Sequence, residues 1–149
     1  MKKQNGFTLI ELVVVMVILG ILAAVALPKF VDMSSDARKA SLQGALGAVN
    51  SAMAITHAAA LVKNATGSTA TVAAEGTNID MVYGYPAATA TGIQAAAGIS
   101  TNDYDVAGTG PLTINVKGTP AASVATCQIT YTAATSTAAA TVAAVFSGC

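Results

Sequence analysis

The sequence predicts an α+β protein, in which a long N-terminal α-helix has an apolar, protruding first half and an amphipathic second half packed on a small antiparallel β-sheet. Three observations predict it. Residues 7–27 are an apolar run whose only charge is Glu11. Beyond that run Leu42, Leu46, Val49, Met53 and Ala60 recur at helical spacing. After residue 68 short segments alternate apolar and polar side chains between Gly and Pro boundaries.

At about 1.5 Å per residue a helix over 7–27 covers roughly 32 Å, the thickness of a bilayer's hydrocarbon core. Lys2 and Lys3 precede it and are expected to stay on the cytoplasmic side. Two readings of this start compete. An ordinary secretory signal peptide would be cut after Ala24-Val25-Ala26 and release a soluble chain beginning at Leu27. Glu11 argues for a retained segment instead, because a carboxylate in the apolar core costs about 2.5 to 3.5 kcal/mol on insertion scales and a disposable signal has no reason to carry it. A cation would make it tolerable, and cleavage between Gly6 and Phe7 would create one, the new α-amine of Phe7.

The helical pattern continues past Leu27. Pro28 removes a backbone donor and predicts a kink or local melting, with Gly20 as a second weak point. Lys29, Asp32, Asp36, Arg38 and Lys39 are too polar for lipid, so the span ends near Pro28. The run Lys63-Asn64-Ala65-Thr66-Gly67 reads as the helix end. The expected organisation is a cleaved leader at 1–6, a membrane or filament-core helix at 7–27, its amphipathic continuation at 28–67 and a β-rich head at 68–149. Within the head, 112–116 and 127–132 alternate as half-buried strands, 141–146 is a weaker third, and 79–83 is a further apolar piece. Residues 91–99 are expected to form a short helix.

Composition excludes most chemistry. Of 149 residues 9% are charged and 5% aromatic, the net charge is zero, and no basic stripe interleaves with aromatics, which argues against direct nucleic-acid binding. His57 is the single histidine and there are two cysteines, so a Ser/His/Asp triad, a zinc site and a CxxC pair all lack parts. No enzyme activity, catalytic residue, metal or cofactor is expected.

Gly6-Phe7-Thr8-Leu9-Ile10-Glu11, after a short basic leader and before a long apolar run, resembles the class III leader of type IV pilins and the related pseudopilins. The resemblance implies that a prepilin peptidase cuts between Gly6 and Phe7 and methylates the amine of Phe7. It implies that Glu11 pairs with the methylated amine of Phe7 on a neighbouring subunit, and that the segment near Pro28 can lose helicity in a filament. Implied partners are like subunits in a helical filament, the peptidase, an inner-membrane assembly platform with minor pilins, the inner membrane before assembly, and a host or abiotic surface. Loss of Lys2 and Lys3 would leave five cationic against seven acidic side chains.

In a chain carrying an export signal, Cys127 and Cys149 read as a disulfide. In disulfide-bearing pilins the enclosed segment, here 128–148, contributes to the filament surface. Three further pieces, Asp36-Ala37-Arg38-Lys39-Ala40-Ser41-Leu42-Gln43-Gly44, Val82-Tyr83-Gly84-Tyr85-Pro86 and Ala125-Thr126-Cys127-Gln128-Ile129-Thr130-Tyr131, are similar to the mannose-sensitive haemagglutinin type pilins. The function so implied is the major subunit of a surface type IV pilus for attachment and biofilm formation. A type II secretion pseudopilin and a soluble secreted binding domain are the alternatives. His57 is expected to be a surface or packing residue and Asn102-Asp103-Tyr104-Asp105 a solvated acidic turn rather than a calcium loop. Asn64-Ala65-Thr66 matches a glycosylation sequon, which carries little weight here.

Overall fold

The structure is a computed structural model that describes residues 7–149, without the side chains of Val31 and Asp32. The expected leader at 1–6, with Lys2, Lys3 and Gly6, lies outside the described residues. Helix α1 spans Leu9–Val62, and the chain divides into two units, Met1–Asp36 and Ala37–Cys149.

In the first unit α1 is apolar, apart from Glu11, as far as Leu27 and then turns polar, and none of its described residues is buried. It is long and apolar enough to cross a membrane.

In the second unit α1 contributes a buried seam of Leu42, Ala45, Val49, Ala52, Thr56 and Ala60, spaced by three or four residues along one face. This corrects the expected stripe in two places. Leu46 and Met53 flank the core half-buried, while Ala45 and Ala52 fill the seam. Small side chains on the seam let the helix approach the sheets, and the longer ones cover its margins. The buried hydroxyl of Thr56 is satisfied by donating to the Ala52 carbonyl at 2.6 Å. The helix ends as its residues predict. Asn64 takes the left-handed conformation at φ 53°, its amide donates to Leu61 O at 3.3 Å, and Ala65 donates to Ala60 O at 2.8 Å, a Schellman closure.

Two antiparallel sheets follow, where the sequence pattern suggested one. The first holds β1 (Ala70–Ala74), β2 (Thr77–Val82) and the short β3 (Tyr85–Pro86) in that order. Glu75 and Gly76, at φ 47° and 80°, form the two-residue turn joining β1 to β2, a conformation that matches the strand twist. The second sheet runs β4 (Tyr104–Ala107), β5 (Leu112–Val116), β6 (Gln128–Thr132) and β7 (Thr141–Val145) in chain order. Ile114 pairs with Ile129 and Leu112 with Tyr131 across β5 and β6, so the predicted alternation faces the core. The main core joins Leu42 and Val49 to Ile93, Ile114, Ile129 and Tyr131, and a smaller cluster joins Ala60 to Val72, Ile79 and Met81.

The sheets are separated by the segment expected to be a helix at 91–99. It is instead a π-type turn at Ala90–Gln94 with a non-helical Gly92, followed by two helical residues. The Thr89 hydroxyl caps Gly92 N at 3.0 Å and Ile93 N donates to Ala87 O at 2.9 Å, which folds the chain back on itself. A side chain at Gly92 would run into the backbone of Ala87. A second correction concerns 102–105: Tyr104 and Asp105 belong to β4, and the turn closes at Asp103. Tyr104 is drawn into the sheet because its ring packs on the core and its hydroxyl reaches the carbonyl of Ser41 at 3.2 Å.

Candidate functional site

The described part of the predicted assembly site begins with Phe7, 92% exposed, followed by Thr8 at the mouth of α1. Thr8 is the helix N-cap: its carbonyl accepts the first helical hydrogen bond, from Leu12 N at 3.3 Å. Its hydroxyl oxygen accepts from Glu11 N at 3.3 Å. Glu11 answers in the other direction, with Oε2 accepting from Thr8 N at 2.9 Å and from the Thr8 hydroxyl at 2.7 Å. This is a capping box, and it places the negative charge at the positive end of the helix dipole. Hydrogen bonds to a charged group are worth about 1.5 to 3 kcal/mol each, of the same order as the cost of a carboxylate in lipid. Among the described residues Oε1 of Glu11 makes no hydrogen bond.

The sequence pointed to Glu11 and Phe7 but not to Thr8. Threonine three places before glutamate, at the edge of an apolar run, is the signal that finds it. Gly20 and Pro28 both lie inside α1, whose helical assignment continues through them. Pro28 has no N–H to give to the Ala24 carbonyl, so one rung of the ladder is missing there. Around Gly20 no atom outside the helix's own neighbouring backbone comes within 4 Å of where a Cβ would stand.

In the second unit Cys127 and Cys149 form a disulfide with their Cα atoms 4.8 Å apart. Both are buried, and Arg38 on α1 donates from Nε to the Cys149 carbonyl at 3.0 Å, which ties the disulfide loop to the helix. Gly148 packs against Thr126 so closely that a Cβ would overlap its side chain. Asn115, which periodicity places on the polar face of β5, is buried and donates to Val124 O at 2.9 Å and Cys127 O at 2.7 Å. Buried Tyr131 donates to Pro86 O at 2.7 Å and so joins the second sheet to the first; burial, then the neighbouring Tyr85, pushes its phenol pKa well above the usual range. His57 stacks on Tyr85 with ring centroids 4.0 Å apart, its Nδ1 2.7 Å from Gly84 O. Among the described residues no group of three or more His, Cys, Asp or Glu is placed to hold a metal ion.

Residues 1–27 match the prokaryotic N-terminal methylation motif. A type IV narrow pilus major component of Thermus thermophilus is 51% identical over 53 residues, which are 36% of this chain and 46% of that protein. A type IV major alpha-pilin of Moraxella bovis is 47% identical over 53 residues, 36% of this chain and 33% of that one. A type II secretion system core protein G of Pseudomonas aeruginosa is 42% identical over 52 residues, 35% of this chain and 37% of that one. The chain thus spans less than half the length of each of these relatives, and no solved structure matches it. The pilins matched are structural proteins, not enzymes. The methylation motif at its N-terminus and these relatives make the chain similar to type IV pilins over its N-terminal third, and its long helix packed against antiparallel sheets is a pilin-like architecture.

Proposed function

We propose that the chain is the major structural subunit of a type IV pilus, a surface filament for adhesion and biofilm formation. The observation that carries the reading is Glu11, the one charge of the apolar run 7–27, held in a capping box beside the motif's expected cleavage point. On this reading the peptidase cuts between Gly6 and Phe7 and methylates the amine of Phe7. Residues 7–27 lie in the inner membrane before assembly and in the filament core afterwards. Residues 28–62 continue the helix, 63–67 close it, and 68–149 form the head, with the disulfide loop at its surface. Gly20 and Pro28 are where the helix yields on packing. The partners are further copies of the chain, the peptidase, the assembly platform with its minor pilins, and the surface to which the filament attaches.

Apolar contact changes little when a helix moves from lipid into a bundle of like helices, so the polar pair must supply register. Glu11 supplies it by meeting the methylated amine of Phe7 on a neighbouring copy. Similarity to a type II secretion core protein supports the second reading, a pseudopilus subunit confined to the envelope.

Intact mass and N-terminal sequencing of filaments sheared from the cell surface test both. Long filaments whose subunits begin at N-methylated Phe7 support the pilus. The same species found only in the envelope supports the pseudopilus. A soluble chain beginning at Leu27 overturns both. Glu11→Ala is expected to abolish assembly while the head stays folded, and filaments as abundant as wild type would remove Glu11 from this role.

A further inference from the structure

The charges of the second unit are sorted by element. Between residues 37 and 149 the cations are Arg38, Lys39, Lys63 and Lys117, and the acids are Glu75, Asp80, Asp103 and Asp105. All the cations but Lys117 lie on α1 or at its end, whereas every acid lies on a strand or in a turn of the sheets. Most are engaged within the subunit. Arg38 donates to Cys149 O, Lys63 Nζ to Ala73 O at 3.2 Å and Lys117 Nζ to Thr101 O at 2.8 Å, while Asp80 accepts from the Thr91 hydroxyl. Glu75 lies two residues beyond the carbonyl that holds Lys63, and Lys117 stands across from Asp103, its amide donating to the Asp103 carbonyl at 2.9 Å. Lys39 and Asp105 are left over. Both are exposed, neither side chain makes a hydrogen bond or ion pair among the described residues, and the residue opposite Asp105 on β5 is the neutral Asn115. We propose that Lys39 of one copy pairs with Asp105 of the next and so sets the heads side by side. The inference rests on the reading of the chain as a filament subunit and names a contact between heads.

The placement of the two groups makes the partner another copy. Tyr104, next to Asp105 on β4, reaches Ser41 on α1, with their hydroxyl oxygens 3.0 Å apart. Ser41 is two residues from Lys39, about 200° round the helix and about 3 Å along it. Lys39 and β4 therefore stand on opposite flanks of α1 at nearly one height, too far round to meet within one subunit. β4 is the outermost strand of its sheet, so among the described residues no further strand covers that flank. Copies set side by side with parallel helices bring the β4 flank of one against the Lys39 flank of the next. That contact is front to back and repeats without closing, as a filament requires. A two-fold contact would set one flank against itself, Lys39 on Lys39 or Asp105 on Asp105, which like charge opposes. On a surface of Ala and Thr with so few charges, one uncompensated pair decides which flank meets which.

Lys39→Glu and Asp105→Lys each turn the pair into like charges. An exposed ion pair is worth up to about fivefold in an equilibrium, and reversal replaces it with repulsion, so either variant of the full chain alone is expected to give about tenfold fewer sheared filaments than wild type. Yield is normalised to processed subunits in the membrane, which removes effects on cleavage or folding. The variant carrying both substitutions is expected to recover wild-type yield. Co-expression of the two single variants separates a contact between copies from one within a subunit. Each supplies the charge that the other lacks, so mixed filaments are expected to recover yield and to hold the two in equal amounts by intact mass. A pair inside one subunit would be restored by the double substitution but not by mixing. On wild-type chains a carbodiimide, which joins an amine to a carboxylate as an amide and takes up the water released, is expected to link the Lys39 peptide of one copy to the Asp105 peptide of another. Wild-type yield from either single variant, or a mixture no better than its parts, overturns the proposal and leaves the filament reading standing. Wild-type chains that never polymerise, at the surface or in the envelope, overturn both.

Discussion

Tyr131→Phe isolates the bond that joins the two sheets. The phenol is fully buried on β6 and donates to the carbonyl of Pro86 on β3 at 2.7 Å. Phenylalanine keeps the ring in the core but leaves that carbonyl without its donor. A buried acceptor so orphaned costs about 1 to 2 kcal/mol. For a cooperative unit the size of Ala37–Cys149, an unfolding entropy of about 2.1 cal/mol/K per residue converts each kcal/mol into roughly 4 °C. The expected fall in melting temperature is therefore about 4 to 8 °C, read by circular dichroism on the full chain in detergent. A pH series supplies an independent arm. Burial and Tyr85 raise the folded phenol's pKa, so the folded state favours the protonated form. Its contribution is fully present below the pKa of an unfolded tyrosine, about 10, and is lost progressively as pH rises above that value. Wild type should lose more stability than Tyr131→Phe over that alkaline range. An unchanged melting temperature together with identical alkaline limbs would refute the sheet-bridging role.

Three further perturbations test the head. Reducing the disulfide, or Cys149→Ser with Cys127→Ser, opens a loop of sequence separation 22 and should destabilise the head by about 3 kcal/mol in denaturant titration, and equal midpoints with and without reductant would count against it. Asn115→Ala strands the carbonyls of Val124 and Cys127 and should cost about 1 to 3 kcal/mol by the same measurement, more than a surface change on the neighbouring Thr113. Gly92→Ala forces a Cβ against the Ala87 backbone and should lower the melting temperature by the equivalent of about 1 to 3 kcal/mol; a neutral or stabilising result would show that the turn relaxes freely.

The parts legible in the sequence are those where one physical signal acts alone. The long helix was legible because apolar periodicity runs unbroken for many turns, and strands β5 and β6 because Leu112, Ile114, Ile129 and Tyr131 alternate with polar residues; β7, with its Ala-rich TVAAV, gave a weaker pattern. Strand β1 was not. Its Ala and Thr side chains differ too little in polarity to show alternation, and only Val72 marks the inner face. The pattern at β5 misleads at Asn115, where burial is decided by two carbonyls from a distant segment rather than by hydrophobicity. The turn at 90–94 depends on a close approach of Gly92 to Ala87, a tertiary fact without a local pattern. At the proposed assembly site the sequence offered the chemical group, Glu11, but its setting follows from a capping motif easily passed over inside an apolar run.

That setting bears on why a polar residue at position 8 belongs with the charge at 11. A helix entering lipid has unsatisfied amides at its first turn, each costly without water. A carboxylate there has the opposite deficit, since it accepts and cannot donate. Thr8 and Glu11 cancel the two deficits against each other, with the glutamate taking the N-cap amide and the threonine hydroxyl taking the amide of residue 11. Alanine at either position removes half of the exchange and exposes the rest, so the two substitutions should resemble each other in the membrane pool. They should diverge only in the filament, where Glu11 alone has a second oxygen to offer. Comparing the two single variants for subunit half-life in the membrane and for filament yield therefore separates the local role of the box from its role between copies.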